Sequence, residues 1–160
     1  MKRFLLLAVL SVIGLGFTAG VQAADDIKLK LAEAKFKAGA NTTTELVGHN
    51  NEGDGKIFYY APGTAEWTFK TSAEGPFIIL ITASCDPAQK VNAWFKLTID
   101  GKDVGEEVKL TSEGEKEYKL EARLAAGEHK LAITFTNDVY KEGEYDRNLY
   151  IHAVTLTPKK

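Results

Sequence analysis

A dense group of side chains suited to chemistry lies in one polar loop near the C-terminus, residues 137–146. Its acids and tyrosines are Asp138, Tyr140, Glu142, Glu144, Tyr145 and Asp146. Strand-like segments, 131–136 and 148–157, flank this loop. Oxygen-donor side chains held in a short loop between rigid strands suit a hard cation such as calcium, and tyrosine rings beside them suit the face of a sugar. The alternative is a solvated acidic hairpin tip.

Asp138 and Asp146 stand at the two shoulders of this loop. If the flanking strands are antiparallel neighbours, the two carboxylates converge at one edge of the fold, which is costly unless a cation holds them. Calcium takes six to eight oxygen ligands, so backbone carbonyls near Tyr145 and water would have to complete the set. The spacing is not that of the twelve-residue EF-hand loop.

The rest of the chain alternates apolar and polar side chains in short runs, which is typical of β-strands. Candidate strands cover 27–38, 56–61, 65–71, 76–84, 93–99, 104–110, 117–122, 129–136 and 148–157. The apolar run 76–84 predicts a central strand buried on both faces, and Asp100-Gly101 predicts a hairpin turn. About nine or ten short strands in one domain predict an all-β fold, an antiparallel β-sandwich or jelly roll, with a barrel as the alternative.

The N-terminus has the pattern of a secretory signal peptide. Lys2 and Arg3 precede an apolar run, and Val21-Gln22-Ala23 resembles a cleavage site. The alternative is a retained N-terminal anchor, which is disfavoured because the run is short for a transmembrane span. We expect a signal peptide at 1–23, one domain at 24–160, and export to the periplasm or the extracellular space, with no membrane insertion after cleavage.

Charge and cysteine content narrow the function classes further. Loss of Lys2 and Arg3 leaves 18 basic and 22 acidic residues, a net charge of −4. A mildly acidic domain argues against nucleic acid or anionic lipid as a partner. Cys85 is the single cysteine. It therefore forms no internal disulfide, and we expect it to be a buried, inert thiol.

The loop and the strand after it carry a recognisable signature. Phe135-Thr136-Asn137-Asp138-x-Tyr140, followed by Asp146-Arg147-Asn148-Leu149-Tyr150-Ile151, resembles the C-terminal signature of calcium-dependent xylan-binding carbohydrate-binding modules. The strong match covers 135–151, and a weaker one covers the whole mature domain. The resemblance implies a β-sandwich jelly roll of a kind usually appended to secreted bacterial glycanases, in which Ca²⁺ bridges protein and xylan-like polysaccharide.

The resemblance also implies roles for individual residues. Asp138 and Asp146 correspond to side-chain calcium ligands, and Tyr145 corresponds to a residue that gives its backbone carbonyl. Around them, Tyr140 is a candidate for stacking on a pyranose ring. Arg147 either holds the loop by pairing with a carboxylate or reaches the sugar, and Asn148 either is structural or donates to a sugar hydroxyl.

The chain departs from the related modules at a second calcium site. Related modules often carry a second, structural calcium near an opening Glu-x-Glu, but only Glu33 remains here and His152 stands where an Asp is common. The existence of that second site is therefore open.

Outside the loop, we expect Trp67 and Trp94 to be core residues. One of Tyr59 and Tyr60 must face outwards and is a candidate contact.

Three functions are compatible with these observations. The first is non-catalytic, calcium-dependent glycan binding. The second is a glycoside hydrolase using two of the loop acids, which is disfavoured because the acids crowd one loop and a domain of this size has little wall for a cleft. The third is an exported structural or interaction β-sandwich that has lost sugar binding and whose partner is an envelope or secreted protein.

Overall fold

The computed structural model describes residues 25–40, 42–50 and 55–159. The predicted signal peptide, 1–23, lies outside these residues. The described chain is built from strands and two short 3-10 turns, Leu31–Glu33 and Thr44–Leu46. Within that part of the chain, no helix is long and apolar enough to cross a membrane.

The strands form two six-stranded sheets in which every pairing is antiparallel. The first sheet has the order β10-β6-β14-β4-β3, with β1 beside β14, and the second has the order β2-β5-β11-β7-β8, with β9 beside β7. The strands of the first sheet are β1 (Ile27–Lys28), β3 (Val47–Asn50), β4 (Lys56–Tyr59), β6 (Gly75–Asp86), β10 (Lys116–Leu124) and β14 (Asn148–Pro158). Those of the second are β2 (Lys35–Ala38), β5 (Gly63–Thr71), β7 (Trp94–Ile99), β8 (Lys102–Asp103), β9 (Val108–Lys109) and β11 (Gly127–Phe135).

The core lies between the inner faces of the two sheets. Alternate residues of each long strand are buried there, among them Ile81 of β6, Ile133 of β11 and Ile151 of β14. Period-two alternation produces this one-sided burial because successive side chains of a strand point to opposite faces. The Tyr59 hydroxyl spans the core and donates to the Ile133 carbonyl at 3.1 Å. The prediction of an antiparallel β-sandwich is confirmed.

Two of the predicted strands are shorter in the structure: 27–38 is divided by the 3-10 turn Leu31–Glu33, and only β9 lies within 104–110. Two details of burial also need correction. The apolar run 76–84 lies in β6, but its strand is buried on one face only, and Ile78 and Leu80 are half-buried on the outer face. Trp67 is a core residue at 3% exposure, whereas Trp94 is half-buried on the outer face of its sheet, with the Lys109 ammonium 4.4 Å from the ring centroid. Apolar composition does not reveal which sheet faces are left uncovered.

The Asp100-Gly101 turn is where the sequence places it, between β7 and β8. Both residues have positive φ, 52° and 76°, as a tight two-residue hairpin turn requires. Asp100 also binds outwards to β11, where its Oδ1 accepts the Lys130 N–H at 2.8 Å. This turn lies at the end of β11 opposite Phe135, and the polar loop of 137–146 begins near Phe135.

Candidate functional site

The polar loop joins the two sheets. Phe135 ends β11 in the second sheet, and Asn148 begins β14 in the first. The flanking strands lie in different sheets, so the condition considered for the sequence, that they are antiparallel neighbours, is not met. A separate two-stranded hairpin, β12 (Tyr140–Lys141) and β13 (Tyr145–Asp146), brings the shoulders together instead.

The hairpin has a short, regular ladder. Tyr140 pairs with Asp146 and Lys141 with Tyr145, and the Arg147 N–H donates to the Val139 carbonyl at 3.0 Å. Gly143 has a φ of 73°, a conformation that glycine adopts without strain, and it turns the chain between the two strands. Glu142 and Glu144 at this tip are exposed to solvent.

Arg147 fixes the base of the loop from inside. Its guanidinium donates to three backbone carbonyls: from Nε to Val91 at 2.9 Å, from Nη2 to Ala88 at 2.7 Å, and from Nη1 to Asn137. The residue is 6% exposed. The prediction of a sugar contact therefore does not fit Arg147, and it holds the loop through carbonyls instead of through a carboxylate. The guanidinium holds its N–H donors in a rigid, planar arrangement, which suits several carbonyl oxygens that converge on it.

Asn137 ties the other end of the loop to β7. Its Oδ1 accepts the Trp94 N–H at 2.7 Å, and its Nδ2 donates to the Asn92 carbonyl at 2.9 Å. Both polar groups of the side chain are used in this way, so Asn137 is an anchor. Together, Asn137 and Arg147 hold the loop from both sides.

Asn148 and the two aspartates form the polar centre of the site. The Nδ2 group of Asn148 donates to Oδ2 of Asp146 and to Oδ2 of Asp86, each at 3.2 Å. The Oδ1 atom of Asn148 takes no part in these two bonds and is buried without a hydrogen-bond partner. The Oδ1 atoms of Asp138 and Asp146 are in the same state. Buried polar atoms without a protein partner are rare, and they mark strain or a place that takes water or an ion.

Electrostatics make the centre unfavourable for an unaccompanied negative charge. Burial raises the pKa of the Asp138 carboxyl above its usual value, and the neighbouring Asp146 charge raises it further. The Val139 backbone N–H and the Arg147 charge oppose these effects without reversing them. A cation placed here would offset both causes, because a nearby positive charge favours the ionised carboxylate.

A family model supplies the identification. The model for CBM60, described as calcium-dependent, xylan-binding carbohydrate-binding modules, matches residues 78–160, which are just over half of the chain. The match includes the loop 137–146 and Asn148. The chain belongs to this family. The resemblance inferred from the signature is confirmed, and the protein is a carbohydrate-binding module.

Solved structures share the fold of this CBM60 module at low identity. The CBM36-1 domain of a xylanase from the hindgut metagenome of Trinervitermes trinervoides has a TM-score of 0.63 and 13% identity, covering 86% of this chain and 98% of that one. A family 35 module from Clostridium thermocellum has a TM-score of 0.63 and 12% identity, covering 84% and 99%. A CBM36 module in complex with calcium and xylotriose has a TM-score of 0.60 and 13% identity, covering 82% and 98%. Comparison with curated proteins finds no match.

The donor set of the CBM60 module fits a hard cation. Three buried oxygens without partners come from Asp138, Asp146 and Asn148, and all three residues line one cavity. Carboxylate and amide oxygens are the ligand types that calcium takes. Across the described ranges no three His, Cys, Asp or Glu side chains cluster as a metal site; the third candidate donor here is the amide of Asn148. Tyr145 adjoins Asp146 in β13, and the use of its carbonyl as a ligand stays a prediction.

The cavity beside these oxygens has a volume of about 730 Å³ and is bounded by aromatic and apolar side chains. Tyr140 is 64% exposed, Tyr60 is 41% exposed, and Leu46 is also exposed there. The predicted stacking residue Tyr140 thus lies in the cavity. Tyr60 is the outward residue of the pair Tyr59 and Tyr60. Strand alternation indicates only that one of the two faces outwards, and nothing in the sequence places Tyr60 beside Asp138.

Among the residues that the structure describes, those near Glu33 do not fit a second, structural cation. Glu33 is exposed and pairs with Lys30 at 2.9 Å. His152 contacts the Ser84 hydroxyl at 2.7 Å, with Glu115 3.3 Å from its Nδ1. The cavity beside His152 is lined by Lys28, Lys30 and His49, and lysine ammonium groups repel a cation.

Proposed function

We propose that this module binds a xylan-like polysaccharide through Ca²⁺ held by Asp138, Asp146 and Asn148, with the Tyr145 carbonyl as a further ligand. The observation that carries the proposal is the set of three buried oxygens without a protein hydrogen-bond partner, on three residues that line one cavity. When bound, calcium would offer its remaining coordination positions to vicinal hydroxyls of the glycan. The calcium and xylotriose in the related CBM36 structure support this assignment.

The protein's own residues prepare the site before the ligand arrives. Arg147 and Asn137 hold the loop to the sandwich. Asn148 orients Asp146 through its amide group. The site is therefore preorganised, which lowers the entropy lost on binding. Tyr140 supplies an exposed ring at the edge of the cavity for the apolar face of a sugar.

We also propose that the module does not cleave its ligand. Hydrolysis needs one carboxyl group as acid and another as base or nucleophile on either side of the scissile bond. Asp138 and Asp146 line the same cavity and each has one buried oxygen, and the nearby Glu142 and Glu144 are exposed at the hairpin tip. We further propose that the protein is exported to the periplasm or the extracellular space.

The test is retention of the purified protein on insoluble xylan, β-glucan and galactan, with calcium and with excess chelator. We expect retention on xylan with calcium, and its loss with chelator and in Asp138→Ala and Asp146→Ala. Asp103→Ala is the matched control because Asp103 is an exposed acid that pairs with Lys96. Retention that survives the chelator would overturn the calcium bridge. Folded protein that binds no glycan would favour a structural or interaction role, and release of reducing ends would indicate hydrolysis.

A further inference from the structure

Aromatic side chains gather on the outer face of the first sheet, at its end beside the cavity. Ile57 and Tyr59 of β4 point into the core and are fully buried, so Phe58 and Tyr60 lie on the opposite face. Tyr150 of β14 is the register partner of Phe58. The second sheet, by contrast, presents mainly Thr, Lys and Glu side chains on the outer faces of β5 and β11.

These rings hold Tyr60 in one orientation. The Phe58 and Tyr60 rings stack with centroids 4.7 Å apart and planes at 25°. The Tyr150 ring meets Tyr60 edge to face at 6.2 Å and 81°. The Tyr60 N–H donates to the Leu46 carbonyl at 2.8 Å, which fixes the backbone as well. Phe58 thus covers one side of the ring, and the exposed part of Tyr60 borders the cavity.

Gly48 makes room for this stack. It pairs with Phe58 across β3 and β4, and a Cβ at this position would lie 2.9 Å from Cζ of the Phe58 ring. Any side chain at residue 48 would therefore push the Phe58 ring away from its position. The orientation of Tyr60 depends on a glycine that itself lies outside the cavity.

Tyr60 differs in this respect from Tyr140, the other tyrosine of the cavity. Within the described part of the chain, Tyr140 has no ring contact and is the more exposed of the two. A ring that is held before binding loses less conformational entropy on contact with a ligand than a free one does. Tyr60 is therefore the better prepared stacking surface.

We infer that Tyr60 is a sugar-stacking subsite, with Phe58 and Gly48 as its positioning residues, and that it takes the C–H face of a pyranose unit next to the unit whose hydroxyls meet the cation. This inference rests on the proposed function and extends it from one sugar unit to a chain. Tyr60 and the Asp138, Asp146 and Asn148 cluster line the same cavity, so one glycan chain contacts both.

Tyr150 connects the stack to the cation cluster. Its ring contacts Tyr60, and its hydroxyl donates to Oδ2 of Asp86 at 2.6 Å. The same Asp86 oxygen accepts from Nδ2 of Asn148. Tyr150→Phe keeps the ring and removes only the hydroxyl. This variant therefore keeps the ring contact with Tyr60 and loses the hydrogen bond to Asp86, the residue that also binds Asn148.

The experiment titrates xylose and its linear oligomers, up to the hexamer, into the full-length protein with saturating calcium. A second titration measures calcium alone. In the wild type, affinity rises from the monomer to the longer oligomers. Tyr60→Ala lowers the affinity for the longer oligomers about tenfold, which corresponds to about 1.4 kcal/mol, and leaves the affinity for calcium alone unchanged. Tyr60→Phe, which retains the ring, keeps most of the chain-length gain.

The positioning residues have their own readout. Gly48→Ala displaces the Phe58 ring, so it lowers the affinity for longer oligomers while calcium binding stays as in the wild type. Wild-type affinity of Tyr60→Ala for the hexamer, with chelator-sensitive binding intact, overturns the Tyr60 subsite and leaves the calcium bridge standing. A wild type with no chelator-sensitive sugar binding overturns the proposed function and this subsite with it.

Discussion

The side-chain amide of Asn148 donates to Asp146 Oδ2 at 3.2 Å, and this bond leaves the Asn148 oxygen and the second Asp146 oxygen buried without partners. Two buried acceptors without a protein donor, on residues that line one cavity, are unfavourable unless water or an ion satisfies them. A cation can satisfy both at once. Asn148 thus joins the two aspartates as a predicted ligand, a role beyond the two that the sequence left open for it, a structural one and donation to a sugar hydroxyl.

Asn148→Ala should lower the affinity for calcium about tenfold or more, since oriented metal ligands and their partners typically carry effects of that size. Calorimetric titration with calcium alone measures this directly. Thr68→Ala, an exposed position on the second sheet, should bind calcium as the wild type does. Unchanged calcium affinity in Asn148→Ala would remove the residue from the ligand set.

Asp138→Asn should raise the melting temperature in excess chelator and abolish the further rise that calcium gives the wild type. Burial and the Asp146 charge raise the pKa of Asp138, which means that its ionised form is unfavourable in the folded protein. A neutral amide removes that cost at neutral pH, and it also weakens cation binding. Thermal denaturation with and without calcium checks both effects. A lower melting temperature in chelator would contradict the electrostatic explanation.

Arg147→Met should lower the free energy of unfolding by about 3 kcal/mol or more, because it leaves three carbonyls without their charged donor. Chemical denaturation measures the loss. Arg123→Met is the matched control: Arg123 forms an exposed pair with Glu74, so its loss should change the stability by no more than about 0.5 kcal/mol. Equal stabilities of the two variants would show that the guanidinium does not hold the loop.

The pair His129 and Asp100 should make stability depend on pH. The Asp100 carboxylate, 2.7 Å from Nδ1, and the Ala125 carbonyl raise the pKa of His129. Its contribution is therefore complete below the ordinary histidine pKa and is lost as pH rises through the raised value. The His129 bond and the Lys130 N–H lower the pKa of Asp100. Its contribution is present above the ordinary aspartate pKa and is lost as pH falls through the lowered value.

Urea unfolding between pH 4 and pH 9 tests this pair. The wild type should lose stability as pH rises past the ordinary histidine pKa. Asp100→Asn should show a flatter profile there, and Asn tolerates the positive φ of this position. A wild-type profile in the variant would contradict the assignment. The pair lies at the opposite end of β11 from the loop, so calcium affinity should not change.

The sequence predicted the sandwich well because burial on one face imposes period-two alternation, as in β11 and β14. It also located the loop, since Asp138 and Asp146 stand out as oxygen donors. It did not reveal that β11 and β14 lie in different sheets, because alternation carries no information on pairing. Nor did it reveal the partners of Arg147, which lie at Ala88 and Val91, or the dependence of Tyr60 on Gly48. These relationships depend on chain segments far apart in sequence.

The most direct test of the calcium bridge is the affinity for a xylose hexamer measured over a series of free calcium concentrations. If calcium joins protein and sugar, the logarithm of the association constant should rise with the logarithm of free calcium, with a slope of about one below saturation, and then level off. Saturating hexamer should tighten calcium binding by the same factor. A slope of zero, with equal affinity in chelator, would contradict the account.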